Sequence, residues 1–272
     1  MKKIILYIFI SCFLLNSCSR LDLAVNFADT YIVNKTDNYF DLTSEQKKWL
    51  NLNFDKDFSK VKEIIFPRIA SELFKAANMI SSKAPLGASD IKLAYERLNK
   101  LFYDGLQMFS SDAVLLVDQL NTNQIIYFQK EFDKKMKELQ ENENSKDSYK
   151  KMKKQFDSWL GEMTSLQKKE LESFTTANPP LTNEIVNNRQ LLAHEFVSSY
   201  YDQSLRRKFV EKIMNHFGES YEANFSIKMK ERNNKIIELT TSILNQITNE
   251  QREILVNRLK DRANQLLKIS KK

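Results

Sequence analysis

Side chains able to do covalent or metal chemistry are scarce in this chain. Its 272 residues hold two cysteines, Cys12 and Cys18, and two histidines, His194 and His216. The thiolate is the reactive form of cysteine, and Cys18 stands just after a short apolar run rather than inside one. The histidines do not make a metal site by spacing. His194-Glu195 lacks the second histidine four residues on that an HExxH helix requires. Ligation would need carboxylates from distant helices, so both histidines read as helix-surface or half-buried residues, and no metal or cofactor is expected. A Ser–His–Asp arrangement is spatial and has no fixed spacing. Yet no glycine-rich phosphate loop, strand–elbow–helix serine or paired-carboxylate context is present, and an enzyme is not expected.

The N-terminus gives Cys18 a context. Lys2 and Lys3 are followed by Ile4 to Leu15, apolar apart from Ser11, and then by Leu15-Asn16-Ser17-Cys18. About a dozen apolar residues fall short of the roughly 20 that span a bilayer, and the order is that of an export signal. The segment resembles the lipobox of bacterial lipoproteins, with an aliphatic residue three before the cysteine and a small one just before it. The resemblance implies diacylglycerol on the Cys18 thiol, removal of residues 1–17 and acylation of the new amine. Three acyl chains exceed the two signals that stable anchoring takes. Cys12 reads as an apolar residue of the signal, so the mature chain would have no disulfide although its compartment is oxidising. Ser19, where aspartate would signal retention, implies by resemblance to the Gram-negative sorting rule the outer membrane and a periplasm-facing domain. The inner membrane is the alternative.

Four short segments repeat one pattern: an aliphatic residue, a capping residue, and glutamine three after the cap. They are Leu42-Thr43-Ser44-Glu45-Gln46, Leu120-Asn121-Thr122-Asn123-Gln124, Met163-Thr164-Ser165-Leu166-Gln167 and Ile247-Thr248-Asn249-Glu250-Gln251. Each is a capping box. The Thr or Asn oxygen takes the amide of the glutamine, and the glutamine reaches back to the cap amide, which stabilises a helix start by about 1 kcal/mol. Only Ile125 supplies the apolar partner of a hydrophobic staple. The first and third copies lie 121 residues apart (43 to 164), the second and fourth 127 (121 to 248). Near-equal offsets suggest two related halves, 40–160 and 161–272.

The copies resemble the LTxxQ motif of the Spy and CpxP type of periplasmic helical proteins, small α-hairpin dimers associated with envelope stress and with holding unfolded clients. A wider likeness is to a family of uncharacterised bacterial lipoproteins classed as a domain of unknown function. Tyr39-Phe40-Asp41-Leu42-Thr43-Ser44-Glu45-Gln46 resembles its first segment and Trp159-Leu160-Gly161-Glu162-Met163-Thr164-Ser165-Leu166-Gln167 a later one. Ile247-Thr248-Asn249-Glu250-Gln251-Arg252 resembles its last. Where that family tends to carry Trp-His after the first motif, this chain has Asp57-Phe58. The likeness implies location and fold and carries no established activity.

The elements that must position these residues are helices. Four glycines and four prolines interrupt long stretches of 3.6-residue period. Ile91, Tyr95, Leu98, Phe102 and Leu106 make one apolar stripe within 88–117, and Ile236 to Leu267 continues the theme. Breaks are expected at Ala84-Pro85-Leu86-Gly87, at the polar stretch Glu141 to Ser148, and at Asn178-Pro179-Pro180, with Thr182 or Asn183 capping the next helix. Pro67 predicts a kink or a helix start. The fold class is all-α: an elongated bundle of about seven to nine helices, with residues 1–17 as signal, 18–38 as tether and first helix, and 39–272 as the helical domain.

Charge excludes nucleic acid. Removing Lys2 and Lys3 lowers the net charge from +7 to +5, with 40 basic against 35 acidic residues spread along the chain. Lys150, Lys151, Lys153 and Lys154, with Lys134, Lys135 and Lys137, form the densest basic region and read as a solvated helix face. The many phenylalanines read mostly as core knobs. The function expected is therefore non-catalytic: membrane attachment through lipid, and binding of unfolded or partner envelope proteins. A structural or assembly lipoprotein with one dedicated partner is the alternative, ahead of an enzyme acting on envelope material.

Overall fold

The computed structural model describes residues 18–141, 145–215 and 222–271. Among them are twelve α-helices and no strand. In chain order they are α1 (Cys18–Asn26), α2 (Ala28–Phe40), α3 (Ser44–Ser81), α4 (Ala88–Gln107), α5 (Ser110–Asp118) and α6 (Thr122–Glu141). Then come α7 (Ser145–Leu160), α8 (Ser165–Ala177), α9 (Thr182–Tyr200), α10 (Gln203–Asn215), α11 (Ala223–Asn245) and α12 (Asn249–Ile269). Residues 1–17, read from the sequence as a signal, and His216 lie outside the described residues.

The spine is α3. Its 38 residues make a rod of about 57 Å at 1.5 Å per residue. Pro67 sits within it without ending the helix, so the expected helix start there is wrong. Its C-terminal half packs along α12, the most extensive helix–helix contact in the molecule. The two meet closely because Ala70, Ala77 and Ala263 are fully buried between them. With Val61, Ile65, Leu255, Leu259 and Leu266 they belong to one core, which also takes residues from α7, α8 and α11. A second core gathers Leu50 near the start of α3, Tyr39, Leu116, Ile125, Phe128, Val186 and Phe196, from α2, α5, α6 and α9. Both cores thus share one helix, and neither draws on one sequence half alone.

Several boundaries differ from those expected. Helices outnumber the predicted seven to nine because the chain bends at Phe27, Met108-Phe109 and Tyr201-Asp202, where neither proline nor glycine marks a break. The stripe over 88–117 is therefore two helices, α4 and α5. The polar stretch predicted as a connection through Ser148 is shorter, since α7 already begins at Ser145. Thr182 is the first residue of α9 and not its cap, and Leu181 precedes it with no side-chain cap bond. The breaks at 82–87 and at Asn178-Pro179-Pro180 fall where expected.

Candidate functional site

Each of the four glutamine segments starts a helix in the geometry its sequence calls for. Thr43 Oγ1 accepts from Gln46 N at 3.2 Å, and Gln46 Oε1 accepts from Thr43 N at 2.9 Å. Asn121 and Gln124 reproduce the pair at 3.1 and 3.0 Å, Thr164 and Gln167 at 3.3 and 2.9 Å, and Thr248 and Gln251 at 3.1 Å for both bonds. The leading Leu42, Leu120, Met163 and Ile247 are all buried.

The boxes also meet in pairs. Gln46 and Gln124 exchange two amide hydrogen bonds, at 3.2 and 2.7 Å, and Gln167 and Gln251 exchange two at 3.0 Å each. Three of the four remaining Nε2 hydrogens run to a carbonyl just before the opposite motif: Gln46 to Gln119 O, Gln124 to Asp41 O and Gln251 to Glu162 O. One side chain therefore closes its own helix start and fastens it to another. The first clasp joins α3 to α6 and the second joins α8 to α12. Tyr200 adds a lock beside the first, its hydroxyl donating to Leu120 O at 2.5 Å.

Other residues singled out by sequence stay apart from these clasps. Cys18 opens α1. His194 lies exposed on α9, and no three His, Cys, Asp or Glu among the described residues group closely enough to hold a metal. Lys150, Lys151 and Lys154 are exposed on α7, while Lys153 pairs with Asp157. Lys135 departs from the solvated-face reading. Its ammonium lies 3.7 Å from the centre of the Tyr39 ring and donates to Asn38 O.

The feature that the sequence did not reveal is a cavity of about 820 Å³, partly open to solvent, with a wall almost wholly of carbon. Two aromatic groups line it. Phe40 stacks on Phe128 at 5.0 Å and Phe196 meets Phe128 edge-on at 5.2 Å. Phe54 stacks on both Phe58 and Phe109 at 5.2 Å. From α1, α2 and the bend between them come Leu21, Val25, Phe27, Ala28, Tyr31 and Lys35. Leu23, Phe27 and Tyr31 are exposed, and the last two also line the cavity.

Few ionisable groups reach this wall. Lys35 is half-buried and lies 5.7 Å from the Tyr31 ring centre. Burial lowers the affinity of nearby Lys135 for its proton, and the charges of Lys35 and Lys134 add to that effect, against Glu131 and Glu138, which oppose it. Burial raises the Tyr39 hydroxyl, while Arg189 beside it pulls the other way. On the α5 side, burial first and then hydrogen bonding to Asp57 raise the Asp112 carboxyl, with Lys56 and Lys60 opposing. Asp57 itself is buried and paired with Lys60 at 2.8 Å. Asp57-Phe58 is the departure noted in the sequence, and both residues serve this region: Phe58 in the wall, Asp57 behind Asp112.

Fold and site together define an all-helical protein fastened by paired glutamine caps around an apolar cavity. Residues 38–216 match the model of a family described as a family of unknown function (DUF6279), and the chain belongs to that family. The match takes in the first three glutamine segments and stops before α12 and the fourth. No curated protein and no solved structure matches the chain significantly.

Proposed function

We propose that this protein is a lipid-anchored, non-catalytic binding protein of the bacterial envelope, held by Cys18 on the periplasmic face of the outer membrane, and that it shelters apolar parts of its partners in the cavity. The carrying observation is the size and composition of that cavity. The wall is almost wholly apolar and partly open to water, so apolar material that enters removes carbon surface from water, worth about 25 cal/mol per Å².

The placement of α1 supports the same reading. The lipid site opens this helix, and Leu21 and Val25, within its first two turns, line the cavity. No helix among the described residues is long and apolar enough to cross a membrane, so attachment in this reading falls to the lipid.

The test is fluorescence of N-phenyl-1-naphthylamine added to the full chain, compared with Ala113→Phe, which places a ring into the cavity. Wild type is expected to enhance the probe well above a micelle blank and the variant to lose most of that gain. Equal signals from the two proteins would refute cavity binding. The version in which the partner is an unfolded protein draws on the exposed Leu23, Phe27 and Tyr31. It predicts suppressed aggregation of a denatured client at stoichiometric ratio, and unchanged aggregation rules it out. A scaffold with one dedicated partner would instead give one dominant in-cell crosslink.

A further inference from the structure

The cavity's chemistry narrows what enters it. A peptide segment carries an N–H and a C=O at nearly every residue, and each costs roughly 1–3 kcal/mol or more when buried without a partner. The wall offers few partners: its charged and amide side chains are Lys35, Asp112, Asn188, Arg189 and Arg262; the Asn188 amide oxygen already accepts from Glu222 N and Arg262 donates to Gln265. A hydrocarbon chain makes no such demand, and each methylene buried contributes about 0.8 kcal/mol. A methylene occupies about the volume that water does in the liquid, roughly 30 Å³. The cavity of about 820 Å³ therefore holds on the order of 25 such groups, one long chain with room to spare.

One edge of the cavity is also signed. Lys35 lines it, half-buried, and Lys135 and Arg189 flank Tyr39 next to it. Glu131 and Glu138 act on Lys135 with the opposite sign, and neither lines the cavity. Among the described residues, Asp112 is the single carboxyl in that wall, against the cations Lys35, Arg189 and Arg262. An anionic head at Lys35 would leave a tail free to run among Phe40 and Phe128, which line the same cavity. The exposed Leu23, Phe27 and Tyr31 make that edge compatible with a membrane surface.

We infer that the cavity binds one long acyl chain bearing an anionic head, with the chain among the phenylalanines and the head at Lys35. This rests on the cavity-binding reading above, and goes beyond it in naming the ligand class. Free fatty acid and lysophospholipid share that chemistry.

The experiment is native mass spectrometry of the full chain released from maltoside micelles after incubation with palmitate, lysophosphatidylglycerol or uncharged hexadecanol. Palmitate or lysophosphatidylglycerol is expected to be retained in one copy, and Lys35→Glu to cut its retention about tenfold while hexadecanol is unaffected. Lys35→Gln, with less electrostatic change, is expected to fall between, and circular dichroism checks that both variants keep their helices. Whichever anionic ligand is retained identifies the source. If palmitate, lysophosphatidylglycerol and hexadecanol are retained equally and Lys35→Glu changes nothing, the anionic head is wrong but the cavity still binds. If the naphthylamine probe binds and none of the three is retained, the acyl ligand is wrong. If neither the probe nor any amphiphile binds, the cavity reading itself fails.

Discussion

Glutamine is expensive to bury, because its amide has two donors and an acceptor that each need a partner. Here Gln167 is wholly buried and Gln46, Gln124 and Gln251 nearly so, and the paired geometry supplies those partners. Gln167→Ala removes a cap worth about 1 kcal/mol and leaves Gln251 with an unmatched amide, at about 1–3 kcal/mol more. Chemical denaturation is expected to show a loss of roughly 2–4 kcal/mol, and the Gln167→Ala/Gln251→Ala double variant less than the sum of the singles. Strict additivity would mean that the two amides do not interact. Titration gives a second prediction. The folded state raises the Asp112 carboxyl, mainly by burial. Its neutral form therefore favours folding at acid pH, and that contribution is lost as pH rises through the raised value. Asp112→Asn keeps a donor toward Asp57 without the charge. It is expected to raise the melting temperature at neutral pH and to converge with wild type below about pH 4, the ordinary carboxylate value. Asp118 has the opposite sign. Burial opposes its charge, but Arg207 and Arg206 outweigh that and lower it. The stability it adds is present above the ordinary value and fades as pH falls through the lowered one.

At the scale of elements, legibility followed the range of the physics. The capping boxes were readable because cap and glutamine are three residues apart and the bonds are local. Their pairing was not, because Gln46 and Gln124 are 78 residues apart and Gln167 and Gln251 are 84 apart. Nothing in either segment names its mate. The bends at Phe27, Met108-Phe109 and Tyr201-Asp202 were missed because packing, rather than a breaker residue, sets them. Cavity phenylalanines such as Phe54 and Phe109 follow the same periodicity as core ones, so sequence could not separate wall from core. Pro67 shows the converse: a legible breaker that the helix overrides. An interior proline costs a helix roughly 3 kcal/mol, and here the contact with α12 offsets it. Pro67→Ala is expected to stabilise the protein by about 1–3 kcal/mol, measured by urea unfolding. A destabilised variant would show that the ring's own packing outweighs the lost helix bond.

For the whole molecule, the proposed lipid site, Cys18, opens α1, and α1 and α2 supply one part of a cavity wall that extends to α12. Cys18→Ala is expected to abolish incorporation of labelled palmitate and to leave the precursor unprocessed. Full labelling of that variant would move the lipid elsewhere and remove the reason for placing the cavity edge against a membrane. Asp57→Asn tests the same region without touching the anchor. It takes the charge from a buried carboxyl paired with Lys60, and is expected to shift the pH dependence attributed to Asp112 while leaving lipid labelling intact.

The long third helix meets its most extensive partner, α12, across most of the chain between them. A polypeptide that emerges from its N-terminus must keep Val61, Ile65, Ile69 and Leu73 uncovered until Leu255 to Ile269 arrive. Such distant closure is slow and exposes sticky surface meanwhile. Removal of α12 is therefore expected to leave that surface bare and to send the protein to aggregation or degradation, read as loss of soluble chain.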